Sequence, residues 1–281
     1  MGDTTGEPDF AEGFAPAATS FAELDELIWN PISTAVVARA HPRFDELVLD
    51  ACARDGASAL PTSELVGIGG LVDAVDPSAE LIEIARERAG ERMPQLRLHV
   101  ADPTTWETTG YDLVQCVLGL ATFPDLDAGV QHLIERARPG GRVAITVWAH
   151  GALEPLPEVL AAALPDAGAD AETDAVHPPE LEELHTAGTL AHWLTGLGLT
   201  GVRAEAVQRH VDLTDELAWT LVLGTDLRAG LGGLEGDEAV AEVRERYLRE
   251  LAHREVTSVD LTTLIAVGQR PEETEERTHG K

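Results

Sequence analysis

Three aspartates stand at or near the ends of three successive apolar runs: Asp50, Asp76 and Asp102. Short apolar runs are typical of buried strands, and the carboxyl ends of parallel strands meet at one edge of a sheet. Asp76 follows Gly56 by about 20 residues, a spacing at which a strand-end carboxylate can accept hydrogen bonds from both hydroxyls of a ribose. The spacing therefore predicts a nucleoside site at the carboxyl edge of the sheet.

The elements that must position these acids alternate between strand and helix patterns. The runs "ELVLDA", "LVDAVD", "LRLHV", "DLVQCVLGL" and "RVAITVW" are separated by amphipathic stretches, one of them capped by Ser78. This order predicts an α/β fold, a doubly wound and mostly parallel sheet with helices on both faces. The Pro-Gly-Gly sequence at 139–141 predicts the turn into the fifth strand, and "GVRAEAVQRHV" predicts one later strand.

The domain organisation follows from breaks in this rhythm. Residues 1–19 are predicted to form a flexible leader, residues 20–270 one domain, and residues 271–281 a flexible tail. Within the domain, residues 20–42 form N-terminal helices, with Pro31 between two short ones. Residues 149–186 interrupt the alternation after the fifth strand, where an insertion would lie over the ligand crevice on the substrate side.

Composition excludes several classes of partner. Acidic residues outnumber basic ones by 50 to 20, which gives a formal net charge of −30. Nucleic acids and anionic membranes need basic clusters, so neither is expected, and the expected partner is a small molecule. The two cysteines, Cys52 and Cys116, are too few for a disulfide framework or a cysteine zinc site and predict buried thiols in a reducing cytoplasm. No metal site is predicted, and a homodimer is left open.

These motifs resemble those of class I S-adenosylmethionine-dependent methyltransferases, in particular small-molecule methyltransferases of actinobacterial biosynthetic pathways. "VLDACARDGASALP" is similar to the first motif of that family, "VDAVDPS" to the second strand with its ribose acid, and "VADPTTW" to the adenine-contacting stretch. The resemblance covers roughly residues 21–270. It implies a Rossmann-like seven-strand sheet in the order 3-2-1-4-5-7-6, with the last strand antiparallel, and S-adenosylmethionine as the cofactor.

Carried over residue by residue, the resemblance implies a nucleoside subsite. Asp76 would hold the ribose and Pro77 would line the edge of the adenine. Asp102, next to Ala101, would accept from the adenine amino group, and Trp106 would pack near the ring. The same types have structural explanations, because aspartate often caps a turn and tryptophan often packs on a surface.

The resemblance also implies a subsite for the methionine part of the cofactor. Asp50 would orient the turn after the first strand, Gly56 is the last of the family's motif glycines, and backbone carbonyls around Cys116 and Val117 would receive the ammonium. Arg54 and Asp55 depart from the glycine-rich pattern. Arg54 brings a long side chain close to the cofactor and Asp55 a carboxylate near the cofactor's own, so this turn puts the affinity in question.

Two functions from different classes of chemistry follow. In the first, a methyl group passes to a small, largely apolar metabolite, with His150 as the leading candidate for a base and His177 and His185 as further candidates on the substrate side. In the second, the crevice has lost the cofactor and shapes a pathway intermediate for cyclisation, rearrangement or elimination. Its apolar wall would be tryptophans with an alternative role in core packing: Trp29, Trp148, Trp193 and Trp219. A non-catalytic partner subunit is a third alternative, which no exposed apolar pattern favours.

Overall fold

The structure is a computed structural model and describes residues 18–165, 181, 183–234 and 236–272. The strands in chain order are β1 (Leu47–Ala51), β2 (Leu71–Asp76), β3 (Leu96–Val100), β4 (Tyr111–Val117), β5 (Ala137–Trp148), β6 (Thr200–Val207), β7 (His210–Asp212), β8 (Ser258–Asp260) and β9 (Thr263–Gln269). The helices are α1 (Ala18–Glu23), α2 (Asn30–Ala40), α3 (Ala59–Val66), α4 (Ala79–Ala89), α5 (Leu126–Arg136), α6 (Leu156–Ala163), α7 (Ala187–Gly196), α8 (Asp215–Gly224) and α9 (Asp237–His253).

Seven strands form the central sheet in the order β3-β2-β1-β4-β5-β9-β6. The first five pair in parallel, whereas β9 is antiparallel to both β5 and β6. Because β9 is the last strand of this sheet along the chain, the order is the predicted one, and the expected antiparallel last strand is confirmed. Helices between successive strands cover both faces, as short parallel strands require.

The strand register brings the ends of β1, β2 and β4 to one edge of the sheet. Ala51 pairs with Val75 of β2 and with Cys116 of β4, so the turn after β1 lies between two strand ends. Asp76 pairs with Val100 at the end of β3. The side chain of Ser78 accepts from the backbone N–H of Leu81 and starts α4 immediately behind this edge, as its sequence predicts.

Two local predictions are wrong. The run "GVRAEAVQRHV" is split into β6 and β7, because β6 pairs with β9 only as far as Val207, while β7 pairs with β8 in a separate two-stranded sheet. The Pro-Gly-Gly run lies within β5 rather than before it, since Ala137 already pairs with Tyr111. Gly140, with φ of 74°, provides the irregular backbone there and donates its N–H to the carbonyl of Arg270.

The N-terminal helices close one side of the sheet edge. A π-helical turn at Asp25–Trp29 joins α1 to α2, which then starts with Pro31 in its first turn, a position where proline costs no hydrogen bond. The ring of Phe21 stacks on that of Trp29 at 4.6 Å, and both are buried against α8 and α9 in one core cluster. This packing holds α1 over the turn that follows β1.

Candidate active site

The turn after β1 has a left-handed backbone at three of its five positions. Cys52, Arg54 and Gly56 have φ of 58°, 51° and 84°. Glycine adopts this conformation without strain, whereas each of the other two costs on the order of 1 kcal/mol, which the surrounding contacts must offset. The backbone shape therefore fits the family's glycine-rich turn, although only Gly56 retains the glycine.

Asp55 is paired with an arginine of the chain. Its side chain is fully buried and accepts from Arg88 of α4 at 2.6 Å, while the same guanidinium donates to Asp25 at 2.7 Å. Burial raises the pKa of Asp55 to about 6, although the charge of Arg88 opposes this. The carboxylate that the sequence placed near the cofactor is therefore engaged by the chain's own cation.

Asp76 lies at the end of β2 with its carboxylate fixed by backbone groups. The N–H of Arg54 donates to Oδ2 and the N–H of Ser78 donates to Oδ1, each at 2.9 Å. Burial raises the pKa of Asp76, and the two hydrogen bonds oppose the shift. Each oxygen has a second lone pair for a ligand hydroxyl, so the geometry suits a ribose.

Asp50 is the penultimate residue of β1 and precedes the turn. Its Oδ2 accepts from Ser58 at 2.7 Å and from Gln115 at 3.0 Å, and the side chain is fully buried. Burial raises the pKa of this carboxyl to about 7. Asp50 thus ties the start of α3 to β4 and orients the turn from below, without reaching the crevice.

The predicted adenine side follows β3. The N–H of Ala101 donates to the carbonyl of Asp76 at 3.1 Å, and Asp102 caps a short helical turn by accepting from Thr104 at 2.7 Å. The indole of Trp106 donates to the Tyr111 hydroxyl at 3.0 Å. These contacts are the structural explanations for the two side chains: Asp102 caps a turn, and Trp106 is held by a hydrogen bond from its indole. Pro77 is exposed beside them.

At the end of β4 the carbonyl that meets a cation belongs to Leu118, one residue beyond the predicted pair Cys116 and Val117. The Arg54 guanidinium donates to this carbonyl at 3.1 Å. Val117 and Leu118 line a small cavity of about 30 Å³ together with the turn. Cys116 is fully buried with its thiol toward Cys52, and their hydrogen bond and burial raise the pKa of the Cys52 thiol.

A second cavity, of about 690 Å³, begins on the other side of Leu118. His150 and His185 both line it, with ring centres 6.2 Å apart, and Trp148 forms part of its wall. Its other walls come mainly from apolar residues of β5, α6 and the segment after α8. A cavity of this size matches typical binding sites for small organic molecules.

Two of the predicted substrate residues lie elsewhere. Trp219 packs against Tyr247, with ring centres 6.1 Å apart, in the core between α8 and α9. Trp29 lines the small cavity and donates its indole N–H to the carbonyl of Phe21. Trp193, on α7, donates to Asp127. The four tryptophans thus do not form one wall, and His177 lies outside the described residues.

Three residues of the site carry no sequence signal that identifies them. Leu118 supplies the carbonyl that accepts from Arg54, and Arg88 pairs with the carboxylate of Asp55 in the turn. Thr146 places a buried hydroxyl in the wall of the large cavity. Among the described residues, none is a hydrogen-bond partner of the Thr146 hydroxyl. Only the position of Leu118, directly after a strand, could have marked it.

The sheet order, the turn after β1 and the fixed Asp76 together define a class I methyltransferase fold. Residues 48–141, about a third of the chain, match the family model of the methyltransferase domain, which is a likeness to the class I S-adenosylmethionine-dependent methyltransferases. The match supports methyl transfer as the enzyme class and S-adenosylmethionine as the cofactor. It runs from β1 into β5, so it includes the turn and both strand ends.

Known proteins show the same likeness along more of the chain. Nocamycin O-methyltransferase from Saccharothrix syringae is 27% identical over 160 residues, which is 56% of this chain and 55% of that protein. The chain thus matches about half the length of this curated relative. Phosphoethanolamine N-methyltransferase 2 from Haemonchus contortus, solved with S-adenosyl-L-methionine, has a TM-score of 0.58 at 17% identity and covers 95% of this chain and 61% of its own.

A third likeness is to a protein with a different printed activity. The [4+2]-cyclase SpnF has a TM-score of 0.51 at 15% identity, with 86% of this chain and 82% of its own covered. At this identity the likeness concerns the fold alone. The fold of this chain is therefore shared by proteins named for methyl transfer and by one named for cyclisation.

The residues at the crevice fit the nucleoside half of S-adenosylmethionine better than its amino-acid half. Asp76 offers a fixed carboxylate to a diol, but the Leu118 carbonyl is held by Arg54, and the adjacent cavity of about 30 Å³ has room for only about two waters. Elsewhere, the described residues contain no group of three potential metal ligands and no helix long and apolar enough to span a bilayer.

Proposed function

We propose that the protein transfers a methyl group from S-adenosylmethionine to a small, largely apolar metabolite, by O- or C-methylation in a biosynthetic pathway. One observation carries the proposal: Leu118 lines both the small cavity at the turn and the large cavity beyond β5. A donor at the first and an acceptor in the second would meet at the end of β4. Contact of that kind is the main requirement for transfer from a reactive electrophile.

On the donor side, the chain's residues bind and orient. Asp76 would hold the ribose, with Pro77, Ala101, Asp102 and Trp106 along the adenine, as the resemblance implies. The Leu118 carbonyl would receive the ammonium once the Arg54 guanidinium has moved away from it. When bound, S-adenosylmethionine supplies an electrophilic methyl group, so these residues need only fix the position of the nucleoside and exclude water.

On the acceptor side, the charges of the cavity select the substrate. Glu154, Glu158 and Asp226 line the cavity, and the described part of its lining contains no lysine or arginine. Of the three, Glu158 is paired with Arg254 at 2.7 Å. An anionic acceptor would meet repulsion there, whereas a neutral one would bury its apolar surface. The acceptor class that fits is therefore an uncharged, mostly apolar molecule with a methylatable hydroxyl or carbon.

His150 is the proposed base. It follows β5 directly and lines the large cavity, and its backbone N–H donates to the His185 carbonyl at 3.0 Å. This bond fixes the loop that carries His150 opposite His185. A neutral imidazole at this place can take the proton of a phenol or an alcohol as the methyl group is transferred. His185 is the alternative base.

The second candidate is a repurposed crevice that catalyses cyclisation, rearrangement or elimination without a donor. The contact between Arg54 and the Leu118 carbonyl favours it, because a cofactor tail has no room while this contact stands. The absence of a shared wall among Trp29, Trp148, Trp193 and Trp219 weighs against it. Detectable binding of S-adenosylmethionine to the native protein separates the two candidates.

Calorimetric titration of S-adenosylmethionine into native protein and Asp76→Ala tests the proposed donor site. Loss of a charge-assisted hydrogen-bond partner should weaken binding by roughly 1–3 kcal/mol. Glu91→Ala is the control, because Glu91 is an exposed carboxylate in the turn before β3, and this variant should bind as native protein does. Equal affinity of native protein and Asp76→Ala would place the nucleoside elsewhere and contradict the proposal.

The proposed setting is the cytoplasm, because Cys52 and Cys116 are buried free thiols. The proposed partner is the small-molecule substrate rather than nucleic acid, since the net charge of −30 repels phosphates. A homodimer stays a prediction, which analytical ultracentrifugation of the full chain would test.

A further inference from the structure

The side chain of Arg54 bridges the two strand ends that form the crevice. Its backbone belongs to the turn after β1, while its guanidinium donates to the Leu118 carbonyl after β4 at 3.1 Å. The guanidinium also lies over the ring of Phe21, 5.2 Å from the ring centre. A cation of the chain is thus bound at a backbone carbonyl of the β4 end, across the crevice from its own backbone.

The backbone of Arg54 is held separately from its side chain. Its N–H donates to Asp76 Oδ2 at 2.9 Å, and its φ of 51° keeps the left-handed shape of the turn. Asp55, the next residue, is paired with Arg88. A change in the direction of the Arg54 side chain would free the Leu118 carbonyl and leave the backbone hydrogen bond from Arg54 to Asp76 in place.

The free space beside Arg54 is small while its guanidinium lies at the Leu118 carbonyl. The cavity there has about 30 Å³, bounded by Arg54, Leu118 and the stacked Phe21 and Trp29. About two waters fit in this volume, whereas the tail adds several heavy atoms with an ammonium and a carboxylate. An ammonium and a guanidinium cannot both use one carbonyl at close range without like-charge repulsion.

We propose that Arg54 is a specificity-determining residue whose guanidinium occupies the ammonium position at the Leu118 carbonyl. The inference rests on the proposed nucleoside site at Asp76. Nucleosides without a cationic tail then bind with Arg54 in place. Nucleosides with an amino-acid tail must displace it and give up part of their binding energy. The native site therefore discriminates against the tail, and it does so through one side chain.

Calorimetry with two probes tests the proposal without any turnover. S-adenosylhomocysteine carries the amino-acid tail, and 5′-methylthioadenosine carries the same nucleoside and sulfur without it. Arg54→Ala removes the guanidinium and keeps a Cβ at this left-handed position, as in the native chain, and Arg54→Gly is the second variant because glycine adopts this φ without strain. Arg97→Ala is the matched control, because Arg97 is an exposed cation at the start of β3, away from the crevice.

The expected result is a gain for one probe only. Arg54→Ala and Arg54→Gly should bind S-adenosylhomocysteine at least tenfold more tightly than native protein, while 5′-methylthioadenosine changes less than threefold and Arg97→Ala leaves both affinities unchanged. An unchanged or weaker affinity for S-adenosylhomocysteine in both Arg54 variants, with native binding intact, would overturn the inference and leave the donor site standing. If neither probe binds to any variant, the nucleoside site fails and the inference fails with it.

Discussion

The two cavities that meet at Leu118 are built in opposite ways. The small one, of about 30 Å³, is surrounded by the N-terminal helices and the turn after β1, and the chain's own Arg54 reaches into it. The large one, of about 690 Å³, lies among β5, α6 and the segment after α8, with mostly apolar walls. The donor side is thus largely filled by groups of the chain that are joined by ion pairs and hydrogen bonds, whereas the acceptor side leaves a large free volume.

This difference shows that the ion pairs and charge-assisted hydrogen bonds of the site are concentrated around the turn after β1. Around the turn, buried carboxylates are stabilised by cations and backbone N–H groups, so the local backbone is tightly defined. Around the large cavity, binding energy must come from the burial of apolar ligand surface. Substitutions in the turn should therefore change the stability of the fold strongly, and substitutions in the cavity wall should change it little.

The largest expected effect is at Arg88. Arg88→Gln leaves Asp55 and Asp25 without their shared cation, and their side chains are 0% and 18% exposed. Loss of one partner of a buried pair typically costs about 3–5 kcal/mol. Urea unfolding at pH 8 should show a loss of that order relative to native protein.

The control for Arg88→Gln is Arg86→Gln, on the same helix. Arg86 and Glu83 form an exposed pair, which should contribute under about 0.5 kcal/mol. If both variants lose the same small amount, the turn is not held by buried ion pairs and the contrast between the two cavities is wrong.

A second prediction concerns pH and Asp50. Its pKa is about 7 in the folded chain and lies near 3.8 when unfolded, so the folded state binds the proton more tightly and this favours folding at low pH. The contribution is lost as the pH rises toward 7. Asp50→Asn carries no charge at any pH, so the stability of this variant relative to native protein should rise by about 2–3 kcal/mol from pH 5 to pH 8.

Asp112→Asn is the matched control, and urea unfolding at the two pH values is the measurement. Partial burial opposes the shift, but the N–H of Leu47 and Arg138 together lower the pKa of Asp112. Its contribution is therefore present above the unfolded pKa and constant between pH 5 and pH 8. If the stability difference between Asp50→Asn and native protein is also the same at both pH values, burial does not raise the pKa of Asp50.

The sequence predicted the parts of the fold that depend on near neighbours. The apolar runs and the acid at each strand end are local patterns. Ser78 predicts the start of α4, because its side chain accepts from the N–H of Leu81, only three residues later. The family resemblance added the strand order. Together they predict Asp76 at the carboxyl edge of the sheet, and in the structure it pairs with Val100 at the end of β3.

The contacts that decide the site depend on distant residues. Asp55 and Arg88 are 33 residues apart, and no local sequence pattern in either segment predicts that they pair. The direction of Arg54 depends on a carbonyl 64 residues away. Trp219 has the same residue type as Trp148, yet one packs in the core and the other lines the cavity, because the choice is made by the helices around them.

The smallest expected effect tests whether a water molecule is bound to Thr146 in the wall of the large cavity. Thr146 is fully buried in the cavity wall, and its hydroxyl has no hydrogen-bond partner among the described residues. Thr146→Val keeps the shape and removes an unsatisfied polar group, so the unfolding free energy should rise by up to about 1 kcal/mol. Thermal unfolding would show this as an increase in Tm of roughly 2–4 °C.

Thr62→Val is the contrasting variant, because Thr62 is equally buried but accepts from Gln115 at 3.1 Å. Its removal leaves a buried amide short of a partner and should cost about 1–2 kcal/mol. If Thr146→Val destabilises the chain as Thr62→Val does, the hydroxyl of Thr146 has a bound water as its partner. The floor of the cavity would then be polar, and the acceptor that fits it would carry a hydrogen-bonding group at that end rather than an apolar one.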